Sequence, residues 1–342
     1  MKPITVLCTG IGSFSAGEGV VKALRAIPGK YRIVGCDMQS LSAMTYQVDA
    51  GYSVPAASSA EYFDRLNQIL SAEHVAVLIP GSDAEMHIIA NNTDKIKPGV
   101  FVLAHPQATV NICRDKWKTY EFLRNHGFHV PRAYLPENPE ELPFPLIVKD
   151  RFGGGSKNIA VVQDEGSLQS TLQRMQEKGI KPIVQEYVGS EAEEYTTSIL
   201  YGADGTLLSA ITFRRTLYHG STGTMECQEF PEINDYAARV AKALPSCGSL
   251  NIQSRLVNGK MYIFEINPRF SGSTAARVGL GVNEVDMAID SYFLKQSVKP
   301  QWPKTDMVVL RFFEEVYVPR EEVERVKRGE KTSKRGYLHG NN

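Results

Sequence analysis

The chain is 342 residues long, room for two or three domains at roughly 150 residues each, and at 42% apolar and 22% charged it can build a large core, which excludes wholesale disorder. Its 38 Lys and Arg balance 38 Asp and Glu, which excludes a protein built mainly to neutralise nucleic-acid phosphates, so no nucleic-acid partner is expected. No apolar run approaches the ~18 residues that a bilayer-crossing helix needs, so no membrane partner is expected either.

Residues 2–10 superficially look like a short secretory leader, but Thr5, Thr9 and Gly10 interrupt the run and no small-x-small cleavage site follows, so none is expected. The first hundred residues then alternate: strand over 4–8, helix over 17–26, strand over 31–36, helix over 61–70, strand over 75–79, helix over 86–90 and strand over 100–103. Such alternation demands right-handed crossovers, so residues 1–105 are expected to form an α/β domain on a parallel sheet. Residues 106–140 read as a connecting region, with a helix near 114–125 and then a proline-punctuated stretch.

Beyond it strands outnumber helices. They are expected over 146–149, 159–162, 183–188, 195–201, 207–214, 251–257 and 261–266, with Asp204-Gly205 and Asn258-Gly259 as hairpin turns. This is an α+β body with antiparallel sheets, divided here into a smaller part over 141–188 and a larger one over 189–300. Helices return over 273–280 and 284–294, and a strand-helix pair over 308–326 belongs to a C-terminal extension, 301–342, whose basic tail from 327 is expected to fray. The five cysteines, Cys8, Cys36, Cys113, Cys227 and Cys247, show no C-x-x-C pair and read as the reduced thiols of a cytoplasmic protein. The seven histidines show no metal-ligand spacing, so zinc is not suggested.

Three motifs carry chemistry. Gly10-x-Gly12 after the first strand, with Asp37 closing the second, invites a dinucleotide reading. The third glycine of that fingerprint would fall on Ser15, so a tight turn feeding a helix N-terminus is the plainer expectation. Gly153-Gly154-Gly155-Ser156 joins two strands and no G-x-x-x-x-G-K-[ST] occurs anywhere. A glycine lid whose N–H groups fold over phosphates suits it, with Lys149 as fixed positive charge; the alternative is a plain surface hairpin. The third motif is Asn251-Ile252-Gln253 followed by Phe264-Glu265-Ile266-Asn267-Pro268-Arg269. Glu265 and Asn267 share a strand face, and Mg²⁺ takes one or two carboxylates plus phosphate oxygens and waters. Arg269 lies where a guanidinium can clamp a phosphoryl group, and the serine-rich Ser271-Gly272-Ser273-Thr274 opens a helix.

On these residues the chain resembles the ATP-grasp superfamily, in its carbamoyl-phosphate-synthetase-like carboxylate-amine ligase branch, over roughly 106–295. The resemblance implies a pre-ATP-grasp parallel-sheet domain, then an ATP-grasp fold of two α+β subdomains with nucleotide between them. It implies that Lys116 and Lys149 meet the phosphates and that Gln185-Glu186-Tyr187-Val188 holds adenine, with Glu186 beside its amino group. Glu194 or Glu193 is the implied ribose acid, Gln253, Glu265 and Asn267 the metal ligands, and Arg269 the triphosphate arginine. The implied cofactors are ATP and Mg²⁺, two ions, with Mn²⁺ as a substitute. The implied partners are a small-molecule carboxylate and an amine, with a homodimer left open. The reaction is amide formation through an acyl phosphate, with release of ADP and phosphate, and Arg214 or Arg215 is expected to hold the acyl phosphate or substrate carboxylate. Asp150, where this family often has proline, and the single module depart from the pattern. Carboxyphosphate or carbamate phosphorylation, a catalytically silent nucleotide-binding subunit and, less in keeping with Ser15, a nicotinamide enzyme are the alternatives.

Side-chain alternation constrains the metal set further. A simple two-residue Asn258-Gly259 turn on an unbroken ladder would point Gln253 away from Glu265 and Asn267. Gln253 therefore needs a bulge or an odd loop, and a three-residue loop, Asn258 to Lys260, is the expected solution.

Overall fold

The structure is a computed structural model that describes residues 2–13, 15–155, 157–218, 221–312 and 314–338. Ser156 of the glycine loop lies outside the described residues, as do His219 and Gly220.

β1 (Ile4–Thr9), α1 (Ala16–Arg25), β2 (Tyr31–Asp37), β3 (Ala50–Ser53), α2 (Tyr62–Ala72), β4 (Val77–Ile79), α3 (Asp83–Ala90) and β5 (Phe101–Val102) build the expected parallel sheet, in the order β3-β2-β1-β4-β5. Helix α1 turns Val20, Val21 and Leu24 into the core behind an N-cap in which Ser15 Oγ accepts from Glu18 N at 3.0 Å. β3 is an addition to the expected strands. Its Ala-Gly-Tyr-Ser shows no apolar run, and packing requires Gly51, where a Cβ would lie 1.9 Å from the Thr45 carbonyl oxygen. Strand order reverses between β1 and β4, and the turns after them lie side by side: Gly17 N donates to Gly81 O at 3.2 Å and Gly81 N to Thr9 Oγ1 at 3.3 Å. Asp37, the acid of the dinucleotide reading, accepts from Gln39 N at 2.9 Å and from the N–H groups of Gly12 and Met38. It closes the glycine turn.

α4 (Gln107–Arg114) and α5 (Lys116–Asn125) lead to β6 (Ala133–Tyr134), β7 (Leu146–Asp150), β8 (Ile159–Val162), α6 (Glu165–Glu177) and β9 (Pro182–Glu186), an antiparallel sheet in the order β6-β9-β7-β8. Helix α6 was absent from the expected elements although its signals are present. Asp164 Oδ1 accepts from Ser167 N at 2.7 Å in a capping box, and Leu168, Thr171 and Met175 recur on the buried side. Before α4, buried His105 ties the first layer to the sheet that follows. Cys247 N donates to its Nδ1 at 3.3 Å, which leaves Nε2–H facing Ser249 O at 3.1 Å. Burial pushes this imidazole down to about 4, so it is neutral.

β10 (Glu194–Tyr201), β11 (Leu207–Tyr218), β12 (Ser221–Cys227), α7 (Pro231–Lys242), β13 (Ser249–Val257), β14 (Lys260–Asn267), α8 (Thr274–Gly279), α9 (Glu284–Ala288) and β15 (Met307–Leu310) follow, with the strands ordered β14-β13-β10-β11-β12-β15. One face of this antiparallel sheet presents Ile199, Leu250, Ile252 and Ile266 to Ile233, Ala237 and Val240 of α7. The other face is polar at Glu194, Gln253 and Glu265, which line the cleft toward the four-stranded sheet, and apolar at Ile211, Phe213 and Met225, which pack with the first layer. β16 (Val316–Tyr317), α10 (Arg320–Lys327) and β17 (Tyr337–Leu338) end the described chain.

The frayed-tail expectation is corrected through Leu338. Thr332 N donates to Gly51 O at 3.0 Å, Gly51 N to Thr332 Oγ1 at 3.0 Å, and Gly336 N to Tyr46 O at 2.8 Å. The tail is basic because it lies on acids of the first layer: Arg335 pairs with Asp49, and Lys331 reaches Glu73 at 3.3 Å. Among the described residues, no helix is long and apolar enough to cross a membrane.

Candidate active site

Alternation along the six-stranded sheet decides which side chains meet. Glu194 pairs with Arg255, Thr196 with Gln253, Gln253 with Glu265 and Asn251 with Asn267, so all of these lie on the polar face. That face and the four-stranded sheet enclose a cleft of about 290 Å³, lined among others by Lys116, Lys149, Gly153 to Gly155, Gln185 to Val188, Arg215 and Glu265. Gly155, Arg215, Gln253 and Glu265 also line a second cavity, of about 280 Å³, that reaches Ser15, Gly81, Ser82 and Asp83 at the reversal point of the first sheet.

The register at the metal motif is a correction with a physical reason. The Asn258-Gly259 turn has two residues, at φ 51° and 73°, and pairs Val257 with Lys260, so the expected three-residue loop does not form. The ladder shifts further along: Ser254 faces Ile263 and Gln253 faces Glu265, with Phe264 as the extra residue. This internal bulge turns Gln253, Glu265 and Asn267 to one face. Its extra residue has a use of its own, since Lys149 Nζ lies 5.0 Å from the Phe264 ring centroid.

Lys149 is buried and donates to Gln185 Oε1 at 2.9 Å. Burial pushes its ammonium down to about 8, against the pull of Glu265 and with the push of Lys116 and Arg255. Lys116 opens α5 and its Nζ donates to Gly153 O, which ties the glycine loop down. The base of that loop is anchored as well: Arg151 holds Asp115 through Nε at 2.6 Å and Nη2 at 2.7 Å, and Asp150, in the place of the usual proline, accepts from Phe152 N at 3.0 Å.

Several expected roles meet competing partners. The Glu186 carboxylate takes Arg132 N at 2.9 Å and Arg132 Nε at 2.8 Å, while Glu186 also lines the cleft. Val188 N–H, in contrast, has no partner among the described residues. Glu193 is withdrawn from the ribose role, because its carboxylate accepts from Ser190 N and Ser190 Oγ, each at 2.8 Å. Glu194 lines the cleft, bracketed by Arg215 Nη2 at 2.6 Å and Arg255 Nη2 at 3.3 Å. Arg214 is also corrected. Adjacent strand residues point to opposite faces, so Arg215 enters the cleft while Arg214 lies outside it, paired with Glu226 across β11 and β12.

Arg269 grips Asp83 through Nε at 2.6 Å and Nη2 at 2.9 Å, a contact between the metal-motif loop and α3. Partial desolvation would raise the half-exposed Asp83 carboxyl, but the Arg269 guanidinium beside it wins and holds it below the usual carboxylate range. Asp83 and Arg255 escaped the sequence reading because neither lies in a recognisable motif; contacts distant in sequence bring them in. The loop after Arg269 is braced from within. Fully buried Arg277 donates to Ser271 Oγ at 2.9 Å, Thr274 Oγ1 at 3.0 Å and Glu284 Oε2 at 2.7 Å. Glu284 in turn accepts from Ser198 at 3.0 Å and Ser209 at 3.2 Å.

The donor set fits a hard divalent cation. Glu265 accepts no hydrogen bond from a described side chain or backbone, lies in the cleft and feels the charges of Lys149 and Arg269. The amide side chains of Gln253 and Asn267 share its face, the Asn267 oxygen accepting from Arg269 Nη2 at 3.3 Å, so the set is one carboxylate and two neutral oxygens, which suits an ion that keeps phosphate and water ligands.

Residues 113–273 match the ATP-grasp domain family, and residues 7–103 match the family described as PylC-like, N-terminal domain. The carbamoyl phosphate synthase large chain of Thermoplasma acidophilum is 25% identical over 197 residues, covering 52% of this chain and 19% of that protein. The D-alanine--D-alanine ligase of Bacillus anthracis is 27% identical over 177 residues, covering 46% of this chain and 57% of that one. This chain thus spans about a fifth of the length of the first relative and a little over half of the second. N5-carboxyaminoimidazole synthetase of Staphylococcus aureus, complexed with ADP, has the same fold, with a TM-score of 0.71 at 15% identity over 99% of this chain and 93% of that one.

Proposed function

We propose that this chain, which carries an ATP-grasp domain behind a PylC-like N-terminal domain, is an ATP-dependent carboxylate-amine ligase working through an acyl phosphate. One observation carries the reading. Gln253, Glu265, Asn267 and Arg269 meet Lys116, Lys149 and the glycine loop where a nucleotide-sized cleft opens into a second cavity against the first sheet.

ATP occupies the cleft between the sheets, its purine along the backbone of 185–188 and its phosphates between the glycine loop and the two lysines. With the Glu186 side chain held by Arg132, purine recognition falls to main-chain groups such as Val188 N–H. Glu194 remains the ribose acid of this reading. Gln253, Glu265 and Asn267 hold Mg²⁺, two ions in this reading, which neutralises phosphate charge when bound. The carboxylate substrate lies in the second cavity, where Arg215 and Arg269 supply positive charge. Its oxygen bonds to the γ-phosphorus as the bond to ADP breaks; the amine then attacks the acyl carbon, phosphate leaves and the amine gives up a proton. No protein nucleophile is required, so positioning and charge stabilisation are the protein's share.

ADP release screened across pairs of carboxylates and amines, with mass spectrometry of any product, tests this. A pair that yields an amide with ADP and phosphate is the expected result, and Glu265→Ala is expected to abolish it while keeping the wild-type circular-dichroism spectrum. ADP formed with bicarbonate alone would move the reading to carboxyphosphate chemistry. ATP binding with no turnover on any pair would leave a silent nucleotide-binding subunit.

A further inference from the structure

An open sheet edge presents a row of backbone N–H and C=O groups, and this chain covers two of its edges with its own backbone. The C-terminal tail covers β3, where Thr332 N donates to Gly51 O at 3.0 Å, and the stretch before β6 covers β14, where Ile263 N donates to His129 O at 3.1 Å. The other edge of the six-stranded sheet is β15, and among the described residues its backbone pairs with β12 alone. Its sequence, Met307-Val308-Val309-Leu310, carries no lysine or proline and its ladder no bulge, so none of the usual devices blunts this edge.

Alternation sorts the side chains of this strand. Val309 turns inward to pack with the first layer's core, and Arg311, in step with it, lines the substrate cavity. Val308, Leu310 and Phe312 turn outward, to the face that carries Arg214 and Glu226, and are 61%, 70% and 82% exposed. Together they present roughly 400 Å² of apolar surface, the size of an interaction patch. That is about half of the ~800 Å² per partner that a stable interface buries, and the edge backbone with Thr216 and Thr224 beside it extends the patch.

We infer that β15 pairs with β15 of a second copy of this chain, antiparallel across a two-fold axis. A strand is its own complement in that arrangement, so one set of residues satisfies both open edges. A register centred on Val309 sets Val308 against Leu310 of the partner subunit on both sides of the axis and joins the two sheets into one. Moving the centre to Leu310 would set Asp306 against Glu314 of the partner subunit, two like charges, whereas the Val309 centre brings Lys304 toward that acid.

Sedimentation velocity and hydrogen exchange on the full chain, from about 1 to about 100 µM, test the inference. Wild type is expected to pass from monomer to dimer over that range, with the amides of 307–312 gaining protection as the dimer fills. Val308→Lys combined with Leu310→Lys sets lysine against lysine on both sides of the axis. This variant is expected to stay monomeric, with β15 exchange independent of concentration. Both positions are exposed, so its circular-dichroism spectrum should match that of wild type. A wild type that remains monomeric to about 100 µM overturns the inference and leaves the edge to a different partner. A dimer whose β15 exchange ignores concentration, or one that survives the double variant, places the interface elsewhere and overturns it as well.

Discussion

Arg269 is expected to serve the phosphates, yet in this structure it holds Asp83 with two hydrogen bonds. Asp83 has a side chain about half exposed, at 52%, so the pair is worth no more than about 1 kcal/mol, weak enough for a triphosphate to displace. Asp83→Asn is therefore expected to tighten ATP about threefold to fivefold and to raise ATP hydrolysis without other substrates. Unchanged affinity and hydrolysis would reduce the pair to a structural tie. Lys149 predicts a pH effect of definite sign. With its ammonium pushed down to about 8 in the folded chain, the charge proposed to meet phosphate is present below that pH and lost above it, so ATP affinity is expected to fall by up to about tenfold per pH unit on the alkaline side. Apo stability moves the other way. An unfolded lysine keeps its proton to about pH 10.4, so the folded chain gains stability as pH rises through that interval. Isothermal titration should show proton uptake on nucleotide binding near pH 8.5 (about half a unit above the folded value). ATP affinity independent of pH from about 7 to about 9.5 would contradict the assignment.

At the scale of elements, β13 and β14 show how one extra residue sets chemistry. The two-residue turn fixes the outer register, and without the bulge at Phe264 the same ladder would send Glu265 to the core face. The α8–α9 unit positions the neighbouring loop through a wholly buried ion pair, Arg277 with Glu284, satisfied by hydroxyls at both ends. Removing one partner leaves a buried unpaired charge, so Arg277→Met alone is expected to cost about 3–5 kcal/mol in urea unfolding. The double variant Arg277→Met with Glu284→Leu should recover much of that loss. A double variant no more stable than the single one would show that the serines, and not the charges, fix the loop.

Across the whole molecule, the chain's end returns to its beginning. Residues 330–338 bond to β3 and the turn before it, and β15 completes the sheet whose polar face is the candidate site. Ending the chain after Gly329 removes the Thr332 and Gly336 hydrogen bonds and frees Asp49 and Glu73 from Arg335 and Lys331. Such a truncation is expected to lower stability by roughly 1–3 kcal/mol, read as a Tm several degrees lower. An unchanged Tm would mean that these contacts add nothing. The six-stranded sheet and α7 lie within 194–310, before the truncation point, and should survive it.

Order along the chain was legible without coordinates, because it is covalent. The alternation of strands and helices, the glycine loop between two strands and the Glu-x-Asn-Pro-Arg string each follow from neighbours in sequence, where periodicity and spacing act. Competition between partners was not legible. Glu186, Glu193 and Glu194 are equivalent acids in the sequence, and only packing gave them to Arg132, Ser190 and the pair Arg215 and Arg255. Arg214 and Arg215 differ only in which face of β11 they occupy, which depends on register against strands far away in sequence. Asp83 reaches Arg269 across 186 positions, a contact that no local propensity encodes. Local sequence determined which chemical groups this protein carries and in what order; tertiary structure decided which remain free to meet a ligand, because a buried charge takes whatever opposite charge folding places beside it.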